Sequence, residues 1–329
     1  MQIENPGSRK PERNCGPSFL FIGTGRAGST WFFEVLREHP EVFMPPNKGT
    51  FFFTKLYDSG IDWYEAFFPP NRTEKAAGES CEDYLSCPEA LARIKAYRPE
   101  MRLICCLRNP YERALSAWHF FDRNGMACPT LSAQGECRQD LFYMGYYARH
   151  LEAARRLFPQ NQLLVFLFEE LAAVPEQVVQ KLYSFVGVDP TFVPPSLRRI
   201  INPSGKPRSR LLARVVHNVH MRSWGSSRVG SNLVGTIKQI RPVRNLVKAL
   251  LYRERPAIED WVYHLTEFPA EVIVRYEQEI TALENMLGQD LSHWHAPSDL
   301  VHVEAKQSGE LGDRRETLLS RPHVPVIRP

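Results

Sequence analysis

Three short apolar runs along the chain predict buried strands. Ser18–Gly23, Met101–Leu107 and Leu163–Phe168 are almost entirely apolar, as strands of a sheet covered on both faces are. Elsewhere apolar residues recur every three or four positions, which is the spacing of one helix face. Strands that alternate with helices predict an α/β fold, a three-layer sandwich with a central parallel sheet flanked by helices. The predicted helices are Ser29–Glu38, Pro88–Tyr97, one that starts at Asn109-Pro110, Phe142–Leu157, Pro175–Val186 and Glu271–Leu287.

The pattern also predicts how the chain is divided. Residues 1–17 are polar and predict a flexible leader, residues 18–294 form the domain, and 295–329 predict a disordered tail. Within the domain, 190–255 is a loop-rich and basic insertion, with no Asp or Glu between Pro190 and Arg253. Such a block favours an anionic ligand, a nucleotide, acidic substrate or lipid headgroup. A solvated face that is balanced by acidic residues elsewhere is the alternative.

Composition indicates a globular protein but does not indicate its function. The chain has 329 residues, of which 43% are hydrophobic and 24% charged, values typical of a globular protein. Its net charge of +4 is too small to indicate a nucleic-acid partner. We find no apolar run of about 20 residues and no signal-peptide core, and therefore expect a cytoplasmic protein.

The seven cysteines do not indicate a metal site. Cys105 and Cys106 lie in a predicted strand and read as buried thiols. Cys128 and Cys137 flank a short loop, and a bridge between them is expected only in an oxidising compartment. No CxxC or His/Cys spacing suggests zinc, so we expect no metal.

A first anion-binding signal lies where a strand, a glycine loop and a helix follow each other at Phe19–Leu36. Backbone N–H groups at a helix N-terminus, together with the helix dipole, attract anions. Arg26 adds a full charge to this loop, and Ser29 and Thr30 add hydroxyl groups. The spacing of Gly23 and Gly28 resembles the phosphate loop of nucleotide triphosphatases, although their lysine is replaced by Ser29. The alternative is a glycine-rich turn with no ligand.

A second anion-binding signal is the segment Leu107–Ser116. Arg108 follows the second predicted strand, at the edge where open parallel sheets bind ligands, and an arginine there can hold a phosphate bidentately. Ser116 lies two helical turns later and adds a hydroxyl. The alternative is that Arg108 pairs with Glu112 and only holds the turn. Two anion sites on neighbouring strand ends suit a nucleotide with phosphates at both ends of its ribose.

These two segments resemble motifs of the sulfotransferases that use 3′-phosphoadenosine 5′-phosphosulfate (PAPS), in their bacterial and heparan-sulfate-like branch. Gly25–Trp31 is similar to the family loop PKSGTTW or PRSGTT, and Leu107–Ser116 is similar to LRDPxERxxS. The resemblance extends over residues 18–294. It implies a P-loop-like fold, PAPS as the co-substrate, its bisphosphate product PAP, and no metal. The residues that it implies for donor binding are Arg26, Ala27, Gly28, Ser29, Thr30, Trp31, Arg108 and Ser116, with Lys206 and Arg208 from the segment Asn202–Ser209.

The chain departs from the family pattern where a general base is expected. The family reads Lys-Glu-x-x-Phe-Phe, and its glutamate is the base, but Gly49 follows Lys48 here. We therefore predict Arg26 and Lys48 as the groups that stabilise the leaving oxygen, and Glu82 as the base. The other candidates for the base or for substrate contact are Glu79, Asp83 and His39. His119, on the helix of Ser116, either lines the acceptor pocket or is a core histidine.

The acceptor itself cannot be read from these residues. The resemblance implies a hydroxyl or amine of a small molecule, carbohydrate or lipid, and no nucleic acid. A P-loop kinase or nucleotide triphosphatase and a non-catalytic nucleotide-binding protein are the alternatives. The apolar face of Val243–Leu251 either packs on the domain, which we favour, or lies on a membrane. The oligomeric state is open.

Overall fold

A parallel sheet forms the centre of the molecule. A computed structural model of the chain describes residues 16–199, 205–207, 214, 252–254 and 261–297. Its five-stranded sheet has the order β2-β3-β1-β4-β5, and every pair of neighbours is parallel. This confirms the predicted α/β class. The strands are β1 (Phe19–Gly23), β2 (Val42–Phe43), β3 (Ala76–Ser80), β4 (Arg102–Leu107) and β5 (Leu163–Leu167).

The register of the strands brings their carboxyl ends to one edge. Phe21 in β1 lies opposite Ser80 in β3 and Ile104 in β4. The loop that follows β1 and the loop that follows β4 are therefore neighbours at the same edge. This is the edge at which ligands bind in open parallel sheets.

Helices cover both faces of the sheet. Successive residues of a strand point to opposite faces, so Leu20 joins one apolar cluster and Phe21 the other. The helices that supply the two clusters include α1 and α9 on the Phe21 side and α3, α4, α7 and α10 on the Leu20 side. The described helices are α1 (Ser29–Glu38), α2 (Ile61–Glu65), α3 (Pro88–Tyr97), α4 (Pro110–Arg123), α5 (Leu131–Cys137), α6 (Asp140–Tyr143), α7 (Tyr147–Leu157), α8 (Glu170–Ala173), α9 (Pro175–Val186) and α10 (Ala270–Leu287).

The helix predictions are confirmed except at one place. The single helix predicted over Phe142–Leu157 is wrong, because the chain forms α6 and α7 with a break between them. The break contains Gly145, whose backbone packs so closely on Tyr276 that an added Cβ would lie 2.9 Å from its ring. The close approach of α10 therefore requires glycine and a turn at this point.

Several predictions concern segments at the limits of the described residues. Gly16 and Pro17, assigned to the leader, are buried, and their carbonyl groups accept hydrogen bonds from Arg72 and Arg98. His295, assigned to the tail, contacts two glutamates of α10. The remaining leader and tail, Arg208 and the helix Val243–Leu251 lie outside the described residues. None of the helices in the described ranges is long and apolar enough to span a membrane.

Part of the basic insertion reaches the domain. β6 (Gly205–Pro207) pairs antiparallel with β7 (Tyr252–Glu254), and Lys206 lies opposite Arg253 in the register. β6 also lies beside α4. The backbone of Lys206 is therefore next to the helix that carries Ser116.

Candidate active site

The loop between β1 and α1 (residues 24–28), which we call the phosphate loop, has the backbone of an anion-binding turn. Gly28 is the N-cap of α1 with φ of 78°, and Arg26 has φ of 71°, both in the left-handed region. An added Cβ on Gly28 would lie 2.6 Å from Leu171 Cδ2, so this position requires glycine. The first turn of a helix has backbone N–H groups without intrahelical acceptors, and these can hold an anion.

The two anion-binding motifs meet through Arg26. Its Nε donates a hydrogen bond to Ser116 Oγ at 3.2 Å, and Arg108 Nη1 donates to the Arg26 carbonyl oxygen at 3.4 Å. Burial and the nearby charges of Arg123 and Arg108 lower the pKa of Arg26 to about 10. The charged form of Arg26 is therefore poorly compensated, and an anion bound here would stabilise it.

Arg108 is held by two further contacts. Its Nη2 lies 2.8 Å from Glu112 Oε2, and its guanidinium lies 4.7 Å from the centre of the Phe168 ring. The pairing with Glu112 that the sequence left as an alternative is therefore present. It does not remove Arg108 from the site, because the same guanidinium contacts the phosphate loop.

Lys48 links the phosphate loop to Glu82. Lys48 Nζ donates to Ser29 Oγ at 2.8 Å and lies 2.9 Å from Glu82 Oε2. Glu82 also packs on the loop, since an added Cβ on Gly25 would lie 3.5 Å from Glu82 Cγ. Burial favours a higher pKa for Glu82, but the Lys48 ammonium outweighs it and holds the pKa below its usual value. The structure thus brings together the three predicted catalytic residues.

Two donor-binding candidates, Ala27 and Trp31, have buried side chains. Ala27 is fully buried. The Trp31 ring lies in the core against Phe32, and its Nε1 donates to the Leu197 carbonyl at 3.0 Å. The Trp31 side chain thus faces the core, and only its backbone lies at the loop; its assignment to donor binding stays a prediction.

Gly49, where the family has its base, has a left-handed backbone that favours glycine. Its φ is 77°, and an added Cβ would lie 3.4 Å from the Phe51 ring. Phe51 itself has φ of 54° and is half-buried. A side chain at position 49 would therefore start in van der Waals contact with the Phe51 ring, on a backbone conformation that is strained for any residue with a Cβ.

Glu79 is a structural residue. Its buried carboxylate accepts hydrogen bonds from Thr50 N at 2.7 Å, Thr50 Oγ1 at 2.6 Å, Tyr64 OH at 2.6 Å and Tyr84 OH at 3.1 Å. Burial raises the pKa of Glu79, and these donors oppose that rise. The carboxylate is enclosed by protein donors, so the structure corrects its assignment as a base or substrate contact.

The structure also corrects the prediction of His39 as a base or substrate contact. It follows the last residue of α1, which puts it about 15 Å along the helix from Ser29. Its Nε2 donates to the Asp189 carbonyl at 3.0 Å, and its Nδ1 accepts from Glu41 N at 3.0 Å. His39 is therefore a buried core histidine whose two nitrogens are both used.

The positions of His119 and Asp83 are compatible with their predicted roles. His119 is half-buried on α4, one turn after Ser116, and stacks on Trp118. Asp83 follows Glu82 and lies 3.2 Å from Lys55 Nζ; burial raises its pKa, Lys55 opposes this, and Glu82 adds to it. Both stay predictions.

Sequence reasoning missed the aromatic parts of the site. The Arg26 guanidinium lies 5.0 Å from the centre of the Phe120 ring, and Phe168 has the same relationship to Arg108. Neither phenylalanine belongs to a motif. The available signal was spacing, because Phe120 lies four residues after Ser116 on the same helix face.

Comparison with known proteins matches one family to the part of the chain that contains both motifs. The family described as "Sulfotransferase domain" matches residues 17–206. The chain is 28% identical to heparan sulfate glucosamine 3-O-sulfotransferase 6 of Mus musculus over 199 residues, 57% of this chain and 58% of that protein. It is 31% identical to the human bifunctional heparan sulfate N-deacetylase/N-sulfotransferase 3 over 206 residues, 55% of this chain and 24% of that protein. The chain thus spans little more than half the length of the first relative and about a quarter of the second.

A solved structure shows the same fold. A sulfotransferase from Alicyclobacillus acidocaldarius superposes with a TM-score of 0.58 at 23% identity, over 85% of this chain and 99% of that one. The similarity covers the central sheet and its flanking helices, and it confirms the predicted fold.

Proposed function

The chain belongs to the sulfotransferase domain family, and on that premise we propose that it transfers a sulfuryl group from PAPS to an acceptor. The observation that carries this proposal is the junction of the two anion motifs. Arg26 donates a hydrogen bond to Ser116, and Arg108 donates one to the backbone of Arg26, so the two motifs lie in contact at the carboxyl edge of the sheet. A nucleotide that is charged at both ends of its ribose suits this arrangement.

The residues fit such a donor. Arg108 and Ser116 would hold the 3′-phosphate, and the loop from Arg26 to Trp31 would hold the 5′-phosphosulfate through its N–H groups and the Arg26 guanidinium. The lowered pKa of Arg26 supports this role, because a bound anion would compensate a guanidinium that burial, and then the charges of neighbouring arginines, disfavour. Lys206 and Arg208 remain candidates for the 3′-phosphate, and the position of β6 beside α4 supports Lys206.

PAPS supplies an activated sulfuryl group, and the protein supplies charge and orientation. The acceptor oxygen or nitrogen forms a bond to sulfur while the bond from sulfur to the bridging oxygen breaks, and PAP leaves. Lys48 and Arg26 stabilise the negative charge that builds on the bridging oxygen. Glu82 accepts the proton of the acceptor, since it is ionised and lies beside Lys48.

The acceptor class is proposed from the relatives. Those named above carry heparan sulfate in their names, which supports a hydroxyl or amine of a carbohydrate as the first acceptor to test. Small alcohols and lipids are the next classes. A cytoplasmic site of action and independence from metal remain parts of the proposal.

A kinase or nucleotide triphosphatase is the main alternative, and it predicts ATP and Mg²⁺ dependence. The Ser29 hydroxyl takes the place of the lysine that such enzymes need after the second loop glycine. A non-catalytic nucleotide-binding protein would bind PAP and transfer nothing.

One assay separates the three functions. The purified full-length chain is incubated with ³⁵S-labelled PAPS and an acceptor panel of oligosaccharides, alcohols and lipids, with and without EDTA, and in parallel with ATP and Mg²⁺. We expect labelled product and stoichiometric PAP that persist in EDTA. ATP hydrolysis without sulfuryl transfer would contradict the proposal, and so would tight PAP binding with no product across the panel.

A further inference from the structure

One face of α4 contacts both arginines of the site. Glu112, Ser116 and Phe120 are spaced four residues apart and therefore lie in a row along the helix; we call this row the α4 stripe. Glu112 holds Arg108, Ser116 accepts a hydrogen bond from Arg26, and Phe120 lies under the Arg26 guanidinium. The α4 stripe thus determines where both guanidinium groups point.

The cations of the site have different kinds of partner. Arg108 pairs with Glu112 at 2.8 Å, and Lys48 pairs with Glu82 at 2.9 Å. For Arg26, no carboxylate lies within ion-pair distance among the residues that the structure describes. Its side chain instead contacts the Ser116 hydroxyl and the Phe120 ring, 5.0 Å from the ring centre.

An aromatic ring attracts a cation without neutralising it. The attraction comes from the negative face of the ring and leaves the net charge unchanged. A carboxylate at the same place would fix the guanidinium equally well, but it would also repel an incoming phosphosulfate. Arg123 lies 5.5 Å from the centre of the same ring, so the ring holds two cations in a partly buried environment.

We propose that Phe120 is the positioning residue of Arg26: its ring holds the guanidinium at the phosphate loop and keeps its full charge available for the 5′ end of the donor. This inference rests on the proposed function, because it presumes that Arg26 meets the 5′ group while Arg108 meets the 3′-phosphate. In this role Phe120 acts through its contact with Arg26.

The test compares two nucleotides on two variants of the full-length chain. Calorimetry measures the Kd of PAP and of adenosine 3′-monophosphate, which lacks the 5′ group. Phe120→Leu removes the ring face and keeps an apolar side chain. We expect this variant to raise the Kd of PAP about tenfold, because the free energy of one cation–π contact is lost. The Kd of adenosine 3′-monophosphate should equal that of the wild type. Phe120→Tyr keeps the ring and should restore PAP binding.

Phe121→Leu is the matched control. The Phe121 ring makes the same kind of contact, at 4.7 Å, with Arg138, which pairs with Asp140 outside the site. We expect wild-type affinity for both nucleotides. Melting temperatures of all variants report on folding. Wild-type PAP affinity in Phe120→Leu would overturn the inference. A PAP affinity of Phe120→Tyr that is no higher than that of Phe120→Leu would also overturn it. A wild-type protein that binds no PAP would instead overturn the proposed function.

Discussion

Lys48 Nζ lies 2.9 Å from Glu82 Oε2 while it donates a hydrogen bond to Ser29 at the start of α1. A cation and a carboxylate are therefore joined at the phosphate loop of a chain whose family base position is Gly49. This pair has two consequences: Lys48 is held at the loop to which we assign the leaving oxygen, and Glu82 is held beside it as an ionised group.

Replacement of the Glu82 carboxylate tests its role as the base. We expect Glu82→Gln to lower kcat about 100-fold, the size of a lost general base, while PAP binds at least as tightly because a negative charge is gone. Steady-state kinetics and calorimetry measure the two effects. Glu152→Gln, in an exposed ion pair with Arg156, is the control. If kcat is unchanged in Glu82→Gln and falls in Asp83→Asn, the general base is Asp83 and not Glu82.

Removal of the Arg108 guanidinium should weaken nucleotide binding. Charge-assisted hydrogen bonds of this kind correspond to roughly a 10- to 100-fold change in affinity. We therefore expect Arg108→Ala to raise the Kd of PAP and of adenosine 3′-monophosphate by that factor in calorimetry. Arg156→Ala removes an exposed arginine from another i,i+4 pair and should leave both values unchanged. An equal loss in the two variants would contradict a specific role for Arg108.

Gly28 is required for two separable reasons, left-handed backbone and close packing. Gly288 shares the first reason, with φ of 64°, but an added Cβ there meets nothing within 4 Å. We expect Gly288→Ala to destabilise the fold by roughly 1 kcal/mol, and Gly28→Ala by roughly 2–3 kcal/mol because of the additional clash with Leu171. Urea unfolding measures both. Equal losses would show that the clash with Leu171 relaxes.

His150 should make the fold sensitive to acid. Burial lowers its pKa to about 4, although its hydrogen bond to the Tyr143 carbonyl opposes the shift. Between about pH 6.5 and pH 4 the unfolded chain binds a proton that the folded chain does not, so stability falls as pH falls through this range. The loss amounts to roughly 3 kcal/mol.

His150→Gln provides the measurement of that effect. Glutamine cannot titrate, and its amide can still donate to the Tyr143 carbonyl. We expect the variant to lose less stability than the wild type between pH 7.5 and pH 4.5 in urea unfolding. Parallel pH profiles would assign the acid sensitivity to other groups.

The elements with strong periodicity were predictable from sequence. The bounds predicted for α1, α3 and α9 are those of the structure, because caps and apolar faces mark them. β3 was not predicted, since Ala76–Ser80 contains small and polar residues and becomes buried only through its neighbours. A two-residue strand such as β2 has no readable pattern.

The site was predictable where charge and motif coincide. Arg26, Arg108, Ser116, Lys48 and Glu82 converge as expected, because parallel strand ends meet at one edge. Glu79 and His39 could not be excluded from sequence, since only the fold shows that protein donors and acceptors use up their polar atoms. Phe120 could not be predicted, because a phenylalanine belongs to no motif and only the fold shows its contact with Arg26.

The α4 stripe has a consequence for how a two-ended ligand is captured. Because one rigid helix holds both guanidinium groups, a nucleotide that docks at one end presents its other end at a high effective concentration. We expect the affinity for the bisphosphate to exceed that for either monophosphate by far more than one extra ion pair contributes. The helix thus fixes the distance between the two guanidinium groups, and a ligand whose anionic groups are separated by another distance does not gain this additional affinity.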